Sequence, residues 1–425
     1  MKKWMLKMKN NLIEKIKNKE AKVCVVGLGY VGFPLLKLLT DKKFPAIGFD
    51  VDKNAVEMAI RKKTNATTNA KEALQDSDCI IICVPTPVEE NHHPDLQFVK
   101  SSAETISKYL KKRSLVILES TVAPGTTEEI LLPILEKSGL KQNDFYIAHC
   151  PERIDPGNRE WNVRNIPRVV GGINQNSTKI AYEFYKIIIN AEVIKLSNVK
   201  AAEAVKIVEN TFRDVNIAFV NELAKSFDLI DIDILEVIKG ASSKPFGFMP
   251  HYPGCGVGGH CIAIDPYYLI EKAEESGFSH RFLKVAREIN NSMPEYTVKK
   301  IIQGLNKAKK IINGSRIVIL GLAYKPDVED TRESPAFPII EELKKWGANL
   351  TIFDPYRLDL SNVKTLKEAL HKKDCLVIVT SHKEFKKINP ETIKENGIKV
   401  VVDGRNILDK NKIKQLGIVY EGIGR

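Results

Sequence analysis

The sequence predicts an α/β protein with two Rossmann-like doubly wound domains joined by a long central helix. Three observations predict it: a glycine-rich turn between a strand and a helix near the N-terminus, a long stretch at helical spacing in the middle, and a second strand–loop–helix–strand unit from Ser315. A chain of 425 residues is also too long for one hydrophobic core. We expect a basic extension over 1–20, a first Rossmann-like domain over 21–198, a central helical region over 199–312, and a second Rossmann-like domain over 313–425.

The first domain begins with a dinucleotide-binding pattern. An apolar strand at 23–26 runs into GLGYVG and then into a helical stretch, and the next strand ends at Asp50, 18 positions after the last glycine. Glycines in this turn permit the tight bend, the close approach of a pyrophosphate and close helix–strand packing. The Asp50 carboxylate would accept hydrogen bonds from ribose hydroxyls and repel a 2′-phosphate, which favours NAD over NADP. The turn residues predicted to contact NAD are Gly27, Gly29, Tyr30, Val31 and Gly32.

Three further apolar strands, at 79–85, 114–120 and 144–150, each end in polar or proline-containing residues. Ligands bind at the carboxyl ends of the strands in an open parallel sheet. We therefore expect segments 85–87, 119–121 and 151–153 to border one crevice.

A helical pattern covers NVKAAEAVKIVENTFRDVNIAFVNELAKSFDL, residues 198–229. Its length is unusual for a globular helix, and we expect it to link two domains and to pack against a second copy in a homodimer. Lys206 and Asn210 are four residues apart and therefore share a face of it.

The segment PGCGVGGHCIAIDPYYL, residues 253–269, brings four glycines before Cys261 and places Asp265 four residues after it. Glycine loses the most backbone freedom on folding and adds no side chain to a core. A loop that approaches a ligand and presents a thiol has a use for it, so this segment suggests covalent chemistry at Cys261.

The last unit has GLAYKP where the first has the glycine pattern, so we expect it to bind a related but different ligand. Lys325, Arg332 and Arg405 fall in loops after its strands. Basic side chains in such positions suit a phosphate-bearing ligand.

Composition narrows the function classes. The net charge of +12 is scattered along the chain, which indicates solvated lysines and argues against a nucleic-acid partner. No apolar stretch reaches the roughly 18 residues that a membrane helix needs, and we expect neither membrane insertion nor a signal peptide. Seven cysteines without a secretion signal indicate reduced thiols and a cytoplasmic protein, and the lack of C-x-x-C pairs argues against a metal site.

Eight motifs in chain order resemble the UDP-glucose/GDP-mannose dehydrogenase family, over roughly residues 20–425. They are GLGYVG, VPTP, ESTVAPGTT, CPERIDPGN, the helix AAEAVKIVENTFRDVNIAFVNELA, GVGGHCIAIDPYYL, GLAYKPDVEDTRESP and VVDGRN. The resemblance implies that the C6 hydroxymethyl of a nucleotide sugar is oxidised to a carboxylate with two NAD. An aldehyde would add the Cys261 thiolate, and the thiohemiacetal would lose a second hydride to give a thioester that water hydrolyses.

The resemblance also implies roles for single residues. Cys261 matches the nucleophile, Lys206 and Asn210 the pair near the reacting oxygen, and Asp265 and Glu152 are alternatives for activating the hydrolytic water. Cofactor contacts are implied for Pro85, Thr86, Thr121 and Arg332, with Thr121 also lining the catalytic pocket. Substrate contacts are implied for Glu152, Arg153, Lys206, Asn210, Phe246, Gly247, Gly258, Lys325 and Arg405.

Two departures concern the substrate. UDP-glucose dehydrogenases usually have a lysine where Ile264 precedes Asp265, and a second acidic residue where this chain has Pro156. The stretch 151–172 instead resembles the branch that acts on UDP-N-acetylhexosamines, so we favour UDP-N-acetylglucosamine. UDP-N-acetylmannosamine, UDP-N-acetylgalactosamine and UDP-glucose stay open. A single-step hydroxy-acid dehydrogenase and a non-catalytic nucleotide-sugar binding protein are less favoured, because neither has a use for Cys261.

Overall fold

The computed structural model describes residues 11–87, 94–154 and 160–425. The first half of the predicted basic extension and Pro156 lie outside these residues. The chain divides into two compact units, the first made of Met1–Glu209 and Tyr267–Phe278 and the second of Asn210–Pro266 and Ser279–Arg425.

The first unit is built on a sheet of eight described strands in the order β3-β2-β1-β4-β5-β6-β7-β8. All neighbours are parallel except β6 and β7. The strands are β1 (Val23–Val26), β2 (Ala46–Phe49), β3 (Ala66–Thr67), β4 (Cys79–Ile82), β5 (Leu115–Leu118), β6 (Tyr146–His149), β7 (Arg168–Gly172) and β8 (Val193–Lys195).

Both faces of this sheet are buried, which explains why the strands are continuous apolar runs. In β1, Val23 and Val25 pack into one core while Cys24 and Val26 pack into the core on the opposite face. This is the doubly wound arrangement that the sequence predicts.

Helices cover both faces of the sheet. The N-terminal helix buries Leu12, Ile13 and Ile16 in the first core and packs against the helix that follows β7. The helices of this part of the chain are α1 (Asn11–Lys17), α2 (Gly32–Asp41), α3 (Lys53–Arg61), α4 (Ala70–Leu74), α5 (Gln97–Ser107), α6 (Leu132–Leu135) and α7 (Gln175–Ile188).

The predicted long helix is confirmed as α8, Val199–Asp228, which runs for 30 residues without a break. The division between the units falls inside it, between Glu209 and Asn210. It is followed by α9 (Ile234–Ala241), the cysteine loop and α10 (Asp265–Glu275).

The second unit contains a five-stranded parallel sheet in the order β10-β9-β11-β12-β13. Its strands are β9 (Arg316–Leu320), β10 (Asn349–Phe353), β11 (Cys375–Ile378), β12 (Val400–Asp403) and β13 (Val419–Gly422). Its remaining helices are α11 (Arg281–Asn291), α12 (Met293–Lys307), α13 (Ala336–Lys345), α14 (Leu366–Leu370), α15 (Pro390–Glu395) and α16 (Lys410–Gln415).

The turn after the first strand repeats between the units. Gly27 has a φ of 90° and Gly321 a φ of 96°. Asp50 accepts the N–H of the residue after Gly27 at 2.6 Å, and Asp354 accepts the N–H of the residue after Gly321 at 2.6 Å. In the described part of the chain, no helix combines the length and apolar character that crossing a membrane requires.

Candidate functional site

The glycine turn of the first unit has the geometry of a dinucleotide cradle. A Cβ at Gly27 would lie 2.7 Å from the Cys83 carbonyl oxygen, and one at Gly32 would lie 1.8 Å from the Gly27 oxygen. Those two glycines are therefore required by packing. A Cβ at Gly29 would meet no protein atom within 4 Å, so the open space there lies beside the N-terminus of α2, where a phosphate group fits.

Asp50 is fixed beside this turn by two backbone N–H donors. Its Oδ2 accepts from Leu28 at 2.6 Å and its Oδ1 accepts from Asp52 at 2.9 Å. The carboxylate follows β2, the neighbour of β1, as an acceptor of ribose hydroxyls should. Gly29 and Asp50 thus fit the adenosine diphosphate part of NAD.

The loop after β4 is held by a residue that sequence reasoning missed. Tyr268 of α10 donates its hydroxyl to the carbonyl oxygen of Thr86 at 2.9 Å, and both residues are buried. Tyr268 follows Asp265 in the motif that contains Cys261, so the same motif also fixes the predicted cofactor loop.

The loop that follows Thr121 is anchored by Glu203, a second missed residue. Its carboxylate accepts the N–H groups of Gly125 at 2.6 Å and Thr127 at 2.8 Å. Burial raises the pKa of Glu203 to about 7, although these hydrogen bonds oppose the rise. The sequence shows the helical pattern around Glu203, but it does not show that the Glu203 side chain points inward to this loop.

Glu152 lies after β6 in a buried ionic cluster. Its Oε2 accepts from Arg168 Nη2 at 2.9 Å, and its Oε1 accepts the backbone N–H of Arg153 at 2.5 Å. Arg168 also contacts Glu119. The guanidinium of Arg153 is bound by Glu209, at 2.5 Å from Nη2, so its predicted contact with substrate would have to compete with this ion pair.

Lys206 is half-buried on α8, and its Nζ makes no hydrogen bond or ion pair with the part of the chain that the structure describes. Asn210, one turn further along α8, is buried and donates from Nδ2 to Asp265 Oδ2 at 2.5 Å. The structure therefore joins two of the predicted catalytic residues directly.

Cys261 is exposed in the turn that precedes α10. Its carbonyl oxygen accepts the N–H of Ile264 at 3.1 Å and that of Asp265 at 2.8 Å. The thiol thus lies just before a helix N-terminus, where the backbone dipole favours a negative charge. The pKa of Arg332 is raised, chiefly by its hydrogen bonds with Asp330 and also by the Cys261 sulfur, so the guanidinium and the thiol interact electrostatically.

The glycines around Cys261 serve packing within the second unit. A Cβ at Gly258 would lie 2.5 Å from the Glu333 oxygen, and one at Gly259 would lie 2.6 Å from the Tyr324 ring. Gly259 also donates its N–H to Arg332 at 3.0 Å. Because neither glycine has a side chain, the loop can pack closely against the segment after β9. A substrate contact at Gly258 stays a prediction.

A chain of buried polar side chains fixes the start of this loop. Asn221 of α8 accepts the Gly254 N–H at 3.0 Å and donates to Asn290 at 2.9 Å. Asn290 donates in turn to Asp214 at 2.8 Å, and Arg287 donates to Asp214 at 2.6 Å. Burial raises the pKa of Asp214, and the Arg287 charge opposes the rise.

The predicted anion-binding residues follow strands of the second sheet. Arg405, after β12, is oriented by a hydrogen bond from Nε to the Val379 oxygen at 2.7 Å, and a Cβ at Gly254 would lie 2.4 Å from its Nη1. Lys325 lies half-buried in the loop after β9. Phe246 is 69% exposed, with Lys244 Nζ 4.7 Å from its ring centroid, and Gly247 has a φ of 73°.

The Lys325 loop is anchored by a pair that sequence reasoning missed. His382 is buried, accepts the Asp327 N–H at Nδ1 across 2.9 Å and contacts Asp354 from Nε2 at 3.1 Å. These partners assign the proton to Nε2. The pKa of Asp354 is lowered to about 2, because hydrogen bonds from His382 and two backbone N–H groups outweigh its burial.

Comparison with known proteins finds one family along most of the chain. Three family models match in order: the UDP-glucose/GDP-mannose dehydrogenase NAD binding domain over residues 56–189, the central domain over 200–292 and the UDP binding domain over 318–410. A UDP-N-acetyl-D-mannosamine dehydrogenase of Methanococcus maripaludis is 37% identical, over 95% of this chain and 97% of its own. A UDP-N-acetyl-D-glucosamine 6-dehydrogenase of Pseudomonas aeruginosa is 36% identical, over 93% and 99%. The solved structure of a UDP-D-ManNAc dehydrogenase from Pyrococcus horikoshii superposes with a TM-score of 0.88 at 32% identity, over 95% of this chain and 99% of that one.

Proposed function

We propose that this chain, which belongs to the UDP-glucose/GDP-mannose dehydrogenase family, oxidises the C6 hydroxymethyl of a UDP-N-acetylhexosamine to a carboxylate with two NAD⁺. One observation carries the covalent part of the proposal. Cys261 is exposed before a helix N-terminus, while the other six cysteines are buried. Burial raises the pKa of Cys24, Cys79 and Cys375, which keeps those thiols protonated and unreactive.

The thiol has a specific task in a four-electron oxidation. An aldehyde carbon carries no alkoxide to drive out a second hydride. Addition of the Cys261 thiolate gives a thiohemiacetal, whose hydroxyl can lose its proton while the hydride leaves, and the product is a thioester. Bound NAD⁺ supplies the chemistry of hydride acceptance in both oxidations, and the Gly29 and Asp50 geometry supports its binding.

Lys206 and Asn210 are proposed to act on the reacting oxygen. Lys206 has an ammonium group that no described residue neutralises, which suits the stabilisation of a developing alkoxide. Asn210 keeps one amide N–H beyond the one it donates to Asp265, and that second donor suits the same oxygen.

Thioester hydrolysis needs a base that removes a proton from water. We assign Glu152 to this step. Its carboxylate is held by a cation and by backbone N–H groups, so its direction is fixed. Asp265, whose Oδ2 is taken up by Asn210, is assigned to holding Asn210. Water then adds to the carbonyl carbon, the C–S bond breaks, and Cys261 is released as a thiolate.

The UDP moiety is assigned to the second unit. Lys325 follows β9 and Arg405 follows β12, two strands of its parallel sheet that are separated by β11. A guanidinium that is already oriented, as that of Arg405 is, suits a diphosphate. Arg332 is proposed as a further cofactor contact. The match to the family's UDP binding domain over residues 318–410 supports this assignment.

The sugar is proposed as an N-acetylhexosamine, with UDP-N-acetylglucosamine as the finer prediction from the sequence. The relatives named for UDP-N-acetylmannosamine make that C2 epimer the second candidate. A panel of the UDP forms of GlcNAc, ManNAc, GalNAc and glucose, followed by NADH absorbance, tests the proposal. An N-acetylhexosamine should give the highest kcat/KM, and turnover of UDP-glucose alone would contradict the assignment.

We also propose a homodimer that packs through α8. Val208, Phe212 and Phe219 of this helix are 55%, 48% and 55% exposed, and large exposed apolar side chains on one helix are typical of an interface.

A further inference from the structure

A buried cluster in the first unit surrounds Glu152 with groups that no step above uses. Arg168 is the first residue of β7, Glu119 follows β5 and Tyr185 lies on α7. All three are 0% exposed, and Glu152 is 7% exposed. A buried charge is costly unless it is paired. Because two buried carboxylates share the guanidinium of Arg168, the stabilisation that each carboxylate gains from it depends on the other.

The two Nη atoms of Arg168 make hydrogen bonds of different lengths. Nη2 donates to Glu152 Oε2 at 2.9 Å, which is an ordinary charge-assisted distance. Nη1 lies 3.4 Å from Glu119 Oε2 and 3.3 Å from the Pro151 carbonyl oxygen, so its contacts are longer and shared. Glu152 therefore accepts the shorter hydrogen bond, but it is bound by only one of the two Nη atoms of the guanidinium fork.

Tyr185, two cysteine thiols and Arg153 also border this cluster. The Tyr185 hydroxyl donates to Glu119 Oε1. Burial raises the pKa of the Cys83 and Cys150 thiols, so both are protonated at neutral pH. The Arg153 guanidinium is bound to Glu209. Among the described residues, Arg168 is the cation that pairs with both Glu152 and Glu119.

Competition between the two carboxylates follows from this geometry. Burial raises the pKa of Glu119, the Arg168 charge opposes the rise, and the Glu152 charge adds to it. A carboxylate that is fully paired with an arginine fork is a weak base, because the ion pair must be given up when the proton arrives. A second carboxylate that draws on the same guanidinium weakens that effect.

We propose that Arg168 is a positioning residue that fixes Glu152, and that Glu119, by sharing the same guanidinium, keeps Glu152 basic enough to activate water for thioester hydrolysis. The inference rests on the proposed function and adds two residues to it. In the step concerned, a water proton passes to Glu152, the oxygen bonds to the thioester carbon, and the C–S bond breaks to release the Cys261 thiolate.

The test follows the acyl group on Cys261 by rapid quench and protein mass, between about pH 5 and about pH 9. In Glu119→Gln the acidic limb of the hydrolysis rate should move down by about one pH unit and the plateau should fall about tenfold, because no second carboxylate then competes with Glu152 for the Arg168 charge. Asp78→Asn, which removes another buried carboxyl of the same unit, one that pairs with Lys15 and Lys111, should leave the limb in place. A limb that coincides in Glu119→Gln and the parent, or that moves in Asp78→Asn instead, overturns the inference.

Arg168→Lys keeps the positive charge but loses the two-pronged guanidinium. It is a second test of the inference if Glu119→Gln folds poorly. It should form the first NADH at a rate within about threefold of the parent and then accumulate the acyl-enzyme, because hydrolysis alone is slowed by about tenfold. Equal slowing of both steps would indicate a merely structural role and overturn the inference. If the parent itself forms no acyl-enzyme, the proposed function fails instead, so the two failures are distinguishable.

Discussion

Asn210 donates a hydrogen bond to Asp265 across 2.5 Å, and both side chains are buried. One belongs to the central helix α8 and the other is the first residue of α10, four positions after Cys261. The contact joins the helix that carries Lys206 to the loop that carries the thiol. The orientation of Asn210 therefore depends on a residue of the cysteine motif.

Loss of this contact should affect both stability and turnover. Asn210→Ala removes one donor from a buried carboxylate, which costs about 1.5–3 kcal/mol for a hydrogen bond to a charged group. We expect a lower Tm and a fall in kcat of at least about tenfold. Asn216→Ala is the matched control, because Asn216 lies on the same helix and donates to the Phe212 oxygen of its own backbone. Unchanged kcat and Tm in Asn210→Ala would contradict the role of the pair.

The nucleophile assignment predicts a split between the two oxidations. Cys261→Ser replaces a thiol by a hydroxyl that is not ionised at neutral pH, so the second oxidation should slow by at least about a hundredfold. Stopped-flow absorbance of NADH resolves the two steps. Cys255→Ala is the control, since Cys255 is buried in the same loop. Full turnover by Cys261→Ser would rule out the covalent step.

The Asp50 carboxylate predicts the preference between the two nicotinamide cofactors. Asp50→Asn keeps an acceptor for the Leu28 N–H but removes the charge that opposes a 2′-phosphate. The ratio of kcat/KM for NAD to that for NADP should fall by about tenfold or more. Asp52→Asn, at the N-cap of α3, removes a nearby charge and should leave the ratio unchanged. Equal ratios in Asp50→Asn and the parent would contradict the role of Asp50 in cofactor preference.

Much of this fold can be predicted from the sequence because its signals are local. The glycine turn, the alternation of apolar strands with helices and the span of α8 depend on residues close in the chain. The glycine-rich segment around Cys261 suggested covalent chemistry there, whereas the specific roles predicted for Cys261 and Glu152 come from the family resemblance.

The missed residues share one physical feature, which is that their partners are distant in the chain. Arg168 follows a proline before an apolar strand, and Glu203 lies in an ordinary helical stretch, so both resemble surface charges in the sequence. Only the fold brings Arg168 to Glu119 and Glu203 to the Gly125 loop. Likewise, the space taken up by Tyr324 is what requires glycine at position 259.

Glu203 predicts a pH-dependent contribution to stability. Its pKa rises from 4.5 to about 7 on folding, chiefly through burial. The folded state therefore binds this proton more tightly, so its contribution is full below about pH 4.5 and is lost as pH rises toward 7. The difference in Tm, Glu203→Gln minus parent, should grow by a few degrees between about pH 5 and about pH 7.5, since each pH unit is linked to about 1.4 kcal/mol. Thermal unfolding across this range checks the slope, and a constant difference would contradict it.

The proposed dimer predicts that charge on α8 separates the subunits. Phe212 and Phe219 are both exposed on this helix, and Phe212→Asp with Phe219→Asp would place two charges in an apolar interface. Light scattering should then report half the parent's molar mass. Phe282→Asp, at a 69% exposed phenylalanine of α11, is the control and should keep the parent's mass. A monomeric parent would contradict the dimer directly.

The ratio of NADH formed to sugar acid released tests the central claim most directly. With the best UDP-N-acetylhexosamine in limiting amount, the four-electron route through Cys261 predicts two NADH for each uronic acid, with no free aldehyde. One NADH for each product, with an aldehyde or ketone as the end point, would contradict the account and favour a single-step dehydrogenase.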